Sequence, residues 1–565
     1  MSKDINILIR KAFESFQNQN KDLAIHFLEQ ALLIDSFNFN ANHIMGVVLG
    51  TQGKHQAAQK FLKKATEIDP NSYFAQFNYA KSLVENGDNE KAIIYNENAV
   101  KIDSKNKEAW LNYGLNLKNL KLYSKSLECY DKALNIDPNY IEALVDKSDI
   151  LIIKRNYIEA INILDKILLI DLSKKNTELV AIVWLNRGVI FLELSKYEDS
   201  LACLNEAINI NPNEAIAWCN KGILLSNLKR YDESLVHFDQ AIKLEPNYAE
   251  AYFNKAAIKL LLGDFESGWN LYKYRWKKND FEQYRYCRIP KLDSIANVKS
   301  KKILIWYEQG LGDTIQFSRY ILKLIDIGAE VTFEVQKDLI PFFKNQFDCK
   351  IKDISFDNNS DYFDYQTPLL ELPYLFKTSV NTIPFNQGYL KVQDKSKIIY
   401  WKERLKKSKD KLNIGIAISG NSNHKQNHIR SIPLIKMEPL LEKGNFFLVQ
   451  KELNNEDMKF LNNHKEINFL GNEINNFSDT AAIVENMDLI ISIDTSLIHL
   501  AGALGKKSFL LLPWIPEWRW LVDREDSPWY KSIKIFRQKF MGDWNSLVNQ
   551  IEFELNKLKK NTLNT

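Results

Sequence analysis

The stretch Leu489–Gly505 (LIISIDTSLIHLAGALG) brings chemically able residues to one turn. A short apolar run rich in Ile reads as a buried strand. Asp494, Thr495 and Ser496 follow and are helix-capping types. Leu497, Leu500, Ala501 and Leu504 then keep helical spacing until Gly505. In a parallel α/β sheet such a turn lies at the carboxyl end of the strand, where ligands bind. The new helix offers unpaired N–H groups and a positive dipole end to an anion. His499 sits one helical turn in, placed either to help bind or to pack and fix the turn.

A second strand–turn–helix lies far upstream. Lys302–Tyr307 (KILIWY) is the strand, Glu308–Thr314 (EQGLGDT) the turn and Ile315–Ile327 the helix. Gly310 and Gly312 let the backbone turn tightly and approach a ligand. Asp313 is either a reactive carboxylate or an N-cap of that helix. No GxGxxG occurs here, so this is not the dinucleotide fingerprint.

Strands and helical segments alternate on either side of these turns, which predicts parallel sheets. Further strands are expected at Val331–Val335, Ile351–Ile354 and Tyr362–Tyr365. A second series follows at Asn413–Ser419, Phe446–Gln450, Ile467–Leu470, Leu489–Ile493 and Ser508–Leu512. Two successive α/β units imply a cleft between them.

The first half has a different period. Asp35, Asp69, Asp103, Asp137, Asp171, Asn211 and Glu245 follow successive apolar helices at steps of 34 residues, with one longer step near Lys174–Leu179. Gly46, Ala80, Gly114, Ser148, Gly188, Gly222 and Ala256 supply small residues where two helices must approach. This helix–turn–helix period resembles the tetratricopeptide repeat. About eight repeats are expected, the first of them, residues 5–38, degenerate as a cap. Asn78, Asn112, Asp146, Asn186, Asn220 and Asn254 share one repeat phase. A row of amides offers donors and acceptors to a peptide backbone. The row resembles the asparagine ladder of the O-linked N-acetylglucosamine transferases. The aromatic stretch Asp264–Trp276, with Trp269, Tyr272, Tyr274 and Trp276, reads as a helix that docks the array on the next domain.

The 565 residues carry 75 basic and 71 acidic side chains, a balance that does not favour nucleic acid as the main partner. No apolar run is long enough to span a bilayer and the N-terminus lacks a signal-peptide core, so a cytoplasmic location is expected. Five scattered cysteines without CxxC spacing read as reduced core thiols.

Five segments occur together in order: EQGLGDTIQFSRY (308–320), GNSNHKQNHIRSIPL (420–434), FSDTAA (477–482), DTSLIHLAGALG (494–505) and LLPWIPEWRWLVDREDSPWY (511–530). Together they resemble the bacterial tetratricopeptide-repeat glycosyltransferases, whose catalytic half is similar to the heptosyltransferases. The resemblance implies an all-α repeat superhelix followed by a GT-B fold of two Rossmann-like domains. The expected layout is repeats over 1–282, a linker at 283–300, an acceptor domain at 301–400 and a nucleotide-sugar domain at 401–565. The expected function is transfer of a sugar from a nucleotide-sugar donor to a polypeptide acceptor presented by the repeats, with inversion; the alternatives are a surface-glycan or lipid-linked acceptor, or a non-catalytic repeat scaffold with a degenerate transferase half.

Such transfer needs a group to hold the leaving diphosphate and a group to take the acceptor proton. No Asp-x-Asp pair occurs, so no metal and no cofactor is expected, and the diphosphate must be met by a helix N-terminus and basic side chains. Arg430 falls near the basic phosphate-binding position of the heptosyltransferases, beside Ser431. Asp313 matches the aspartate proposed there as base, with His424 the alternative. His424 and His428 also have the spacing of a metal pair but no third ligand supports one. Glu517, Trp518, Arg519 and Trp520 form an aromatic–basic loop that would close over sugar or base, or pack a domain interface. The chain departs from the family pattern at Ile418, Ser422 and Asn427.

Overall fold

A computed structural model describes residues 2–171, 177–278, 281, 284–308, 310–354, 362–406, 411–421 and 427–563. Contacts divide the chain into two compact units, Met1–Leu224 and Leu225–Thr565. The division falls short of residue 282, within the helix Ala215–Asn227, and the second unit takes in the last helix pair, which packs on the α/β half.

Eight helix pairs run from Ser2–Gln17 and Lys21–Ile34 through to Ala249–Leu261 and Phe265–Tyr272. In the first unit they stack as tetratricopeptide repeats. The residue that marks the period also makes the turn. The N–H groups of Asp35, Asp69, Asp103 and Asp137 close the last helical bond onto Ala31, Ala65, Ala99 and Ala133. Their carboxylates then accept the N–H two residues on, as Asp35 does from Phe37 at 2.9 Å and Asp137 from Asn139 at 3.0 Å. The small-residue phase works by contact: a Cβ on Gly114 would lie 2.3 Å from the Tyr130 ring. A second recurring contact ties three of the first helices to the helix before them. Tyr113 donates to Glu97 at 3.0 Å, Lys147 to Asp131 at 2.8 Å, and Arg187 pairs with Asp165.

In the second unit, β1 (Lys302–Trp306), β2 (Glu330–Glu334), β3 (Lys350–Lys352) and β4 (Tyr365–Pro368) form a parallel sheet in the order β3-β2-β1-β4. The second sheet joins β5 (Leu412–Ala417), β6 (Gly444–Leu448), β7 (Ile467–Phe469), β8 (Leu489–Ile493), β9 (Ser508–Leu512) and β10 (Ile533–Arg537). Its order is β10-β9-β8-β5-β6-β7, again all parallel. The second order is the full doubly wound pattern and the first is its first four strands. Two Rossmann-like parallel sheets therefore follow the repeats in tandem, the expected succession of an all-α array and an α/β half. Strands β8 and β9 are buried along their whole length, which is why they read as mostly apolar runs, with only the buried Ser492 and Ser508 polar.

Several boundaries differ from expectation. The helix after β1 starts at Leu311 and stops at Phe317, and a separate helix runs from Arg319 to Asp326. Asp313 is therefore in the first turn rather than at the N-cap, which is Gly310. Strand β4 lies three residues after the expected 362–365, and β10 was not anticipated. Ahead of residue 401, Tyr389 and Leu390 donate to the Ala503 carbonyl, and the helix Lys395–Arg404 packs on Phe477–Glu485. Within 283–300, Tyr284 and Arg285 pack on the first sheet instead of spanning as a free linker. Cys129, Cys203 and Cys219 are buried as expected, but Cys287 is exposed and Cys349 half-buried.

The docking role of the aromatic stretch holds within this unit. Trp269 meets Trp518 edge-on at 5.3 Å, and Trp276 packs on Trp306 at 5.4 Å. Tyr274 instead stacks on Tyr252 at 3.9 Å, inside the last repeat. Arg275 is 1% exposed; its guanidinium bonds Glu308 at 2.7 and 2.9 Å and pairs with Glu371 at 3.2 Å. Burial disfavours the Glu308 charge and pushes its carboxyl up, against the pull of Arg275.

Candidate functional site

Three turns of the second unit meet. The turn after β1 carries Gly310, Gly312 and Asp313; the turn after β8 carries Asp494, Thr495 and Ser496; the loop after β9 carries Glu517–Trp520. The helix Leu311–Phe317 lies against Ser496–Ala503 so closely that a Cβ on Gly312 would sit 2.9 Å from the His499 ring. Only glycine permits that approach. Gly310 donates its N–H to the Asp313 carboxylate at 3.3 Å, fixing the start of its helix.

Arg519 joins the turns. Its Nη2 bonds the Asp313 carboxylate, its Nε donates to the Gln316 Oε1 at 2.9 Å, and its Nη1 lies 3.4 Å from Glu517. Burial disfavours the Arg519 charge, but Asp313 and Glu517 outweigh it and push its pKa up. Glu517 keeps 41% of its side chain exposed. Partial enclosure raises its carboxyl, with Asp494 and Asp313 acting in the same direction against Arg519 and Arg430.

The β8 turn is held from beneath. Asp494 accepts the Trp520 indole N–H at 2.8 Å and faces His499 Nε2 at 3.5 Å. Burial opposes its ionisation, yet the His499 contact, the Trp520 hydrogen bond and the Arg519 charge together hold its pKa below the usual carboxylate value. His499 is 5% exposed; Nδ1 meets the Tyr530 hydroxyl at 3.1 Å and the ring stacks on Trp520 at 5.4 Å. Both ring nitrogens thus face protein groups, which is the geometry of a residue that positions the turn. Thr495 is the N-cap and makes no side-chain cap bond; its hydroxyl lies 3.2 Å from Ser492. Thr495 and Ser496 remain partly exposed.

The loop after β5 brings Arg430 to this turn. Its Nη1 donates to the Asp494 carbonyl at 3.1 Å. Gly420 allows this, since a Cβ there would lie 2.3 Å from the guanidinium. Asn427 ties the loop: its Oδ1 accepts the Gly420 N–H at 3.1 Å and the Ser431 hydroxyl at 3.2 Å. Ser431 is thereby a loop anchor. Ile418 is buried in the core of the second sheet. His424 and Ser422 lie outside the described residues.

Arg319 escaped the sequence reading. It is fully buried, donates to the carbonyls of Gln316, Pro384 and Trp529 at 2.8, 3.1 and 2.9 Å, and lies 4.8 Å from the Tyr530 ring. It ties the helix after β1 to the segment entering the second half. Arg–Tyr within 308–320 looks like any helix surface in sequence; no local signal marks it.

The asparagine row is engaged within the repeats. Asn112 is buried and donates to Asn96 at 2.7 Å. Asn78 meets His43 at 2.9 Å, Asn186 donates to Asp149 at 2.9 Å, and Asp146 accepts from Lys118 at 2.7 Å. Asn220 donates to its own helix at Ile216 and is half-exposed, as are Asn78, Asn186 and Asn254.

Comparison with known proteins gives tetratricopeptide-repeat matches at residues 51–112, 107–140, 181–214, 215–248 and 237–269. The chain is 23% identical over 327 residues to Protein FlbA of Caulobacter vibrioides. That alignment takes in 52% of this chain and 53% of the relative, so the chain spans about half the length of the curated relative it matches. Similar solved structures include a tetratricopeptide repeat protein from Parabacteroides merdae, 17% identical, covering 45% of this chain and 98% of that one with a TM-score of 0.39. PilF of Pseudomonas aeruginosa is 20% identical, covering 38% of this chain and 96% of that one with a TM-score of 0.33. Among the described residues, no helix is long and apolar enough to cross a membrane.

Proposed function

We propose that the α/β half is an inverting GT-B-type glycosyltransferase that acts without a metal, and that the repeats hold a polypeptide acceptor. The observation that carries this reading is the convergence of Asp313, Arg430, Arg519 and the Asp494 turn at the carboxyl ends of two parallel sheets. Two guanidinium groups beside a helix N-terminus suit the leaving diphosphate of a nucleotide-sugar donor. Asp313 is the candidate base for the acceptor hydroxyl. The donor's sugar would stand between that carboxylate and the Asp494–Ser496 turn. Tetratricopeptide repeats are a protein-binding scaffold. Asn78, Asn186 and Asn220 are the candidate peptide contacts of the first unit and Asn254 of the second, whereas Asn112 is a link between helices.

A thermal-shift series against nucleoside diphosphates and nucleotide sugars, with and without chelator, tests the reading. One base should raise the melting point by mass action, with no effect of chelator. Transfer assays with that nucleotide sugar should fail in Asp313→Ala while the fold persists.

A further inference from the structure

Arg519 is the most heavily engaged cation in the site, and its partners are unusual for a purely structural arginine. They come from both halves: Asp313 and Gln316 from the helix after β1, Glu517 from its own loop. Asp494 and Asp313 both add to the negative field at Glu517. Three carboxylates therefore surround two arginines, Arg519 and Arg430. A diphosphate entering this cluster meets repulsion unless it takes over an arginine that a carboxylate now occupies. One donor is already left over. The Gln316 amide is fully buried, and its Nε2 has no hydrogen-bond partner among the described residues while its Oε1 holds Arg519. A buried amide N–H without an acceptor is costly and marks a place where an acceptor is missing.

We propose that Arg519 is a diphosphate ligand held in reserve by Asp313. Donor binding exchanges the Asp313 carboxylate on Nη2 for a phosphate oxygen and leaves Asp313 free to face the acceptor. This inference rests on the nucleotide-sugar reading and deepens it. It makes the base available only once the donor is seated, so an empty site holds its reactive carboxylate neutralised. It also gives Arg519 a role that its distance in sequence from Arg430 hides. Its guanidinium, lying 4.4 Å from the Trp518 ring, is oriented before any ligand arrives.

The competition has a signature that a permanent clamp lacks. Titration calorimetry of the full chain with inorganic pyrophosphate, UDP, GDP, ADP and CDP should show tighter binding when the competitor is removed. Asp313→Asn keeps an acceptor for the Gly310 N–H but gives up the charge. It should bind the preferred probe about ten-fold more tightly than wild type, the order expected for removing one competing charge contact. Arg519→Gln should bind it at least about ten-fold more weakly. If Asp313→Asn does not melt cooperatively, Asp313→Ser, whose hydroxyl also reaches the cap, replaces it. Binding to wild type with equal or weaker binding to a folded Asp313 variant overturns the inference and leaves the donor reading standing. Failure of every probe with every folded variant overturns both.

Discussion

Asp313 and Arg519, 206 residues apart in the chain, form a charge-assisted contact that joins the first turn of the first sheet to the loop after β9. Each is anchored by its own element: Asp313 by the Gly310 N–H, Arg519 by Gln316 and the Trp518 ring. The contact places the candidate base and a phosphate-binding cation in one cluster before any ligand is present.

Arg430→Ala removes a donor from the Asp494 turn without opening the core, because the side chain is only partly buried. Loss of one charge-assisted hydrogen bond to a phosphate corresponds to about 1.5–3 kcal/mol, or roughly 10- to 150-fold in affinity. Calorimetry with the preferred nucleoside diphosphate should read this drop, with the ligand-free protein still melting cooperatively.

Asp494 gives the molecule an acid-sensitive element. Its folded pKa is depressed, so its contribution to stability is full above the ordinary value of 3.8 and disappears as pH falls below it. Melting points followed from pH 6 downward should fall more steeply for wild type than for Asp494→Asn. Equal slopes would remove Asp494 from the acid response.

Arg275→Ala leaves Glu308 and Glu371 buried beside each other without a cation. Breaking a buried ion pair by removing one partner costs about 3–5 kcal/mol. Urea unfolding should show that loss in the second unit. Part should return when Glu308→Gln is combined with it, since one of the stranded charges is then gone.

The asparagine row divides under mutation. Asn112→Ala strands the buried Asn96 carbonyl and should cost about 1–3 kcal/mol. Asn220→Ala, half-exposed and bonded only within its helix, should change stability by less than about 0.5 kcal/mol. If the row grips an acceptor, Asn78→Ala with Asn220→Ala should weaken its capture while the chain still melts cooperatively.

The repeats were legible because their marker residues do local work. Asp35, Asp69, Asp103 and Asp137 each end a helix and build the next turn, so their chemistry must recur at the repeat step. Strands β8 and β9 were legible from mostly apolar runs, whereas in β10 Lys534 and Arg537 leave no apolar run long enough to signal a strand. The helix at Leu311 was read four residues late because its N-cap, Gly310, has no capping side chain. The turns at Asp313, Arg430 and Asp494 were visible as strand-to-helix changes. What bound them together was not: Arg519 reaches Asp313, and Trp520 reaches Asp494, through tertiary packing that no local spacing encodes. His499 carried two readings in sequence, and its contacts with Tyr530 and Asp494 give it the positioning geometry.

The most direct test is the melting point of the purified chain in the presence of nucleoside diphosphates and nucleotide sugars, with and without chelator. A rise with one base, unchanged by chelator and lost in both Arg430→Ala and Arg519→Gln, is the predicted result. No rise with any nucleotide, or a rise that survives both substitutions, would contradict a diphosphate site at these turns and leave the repeats as the part of the molecule that binds.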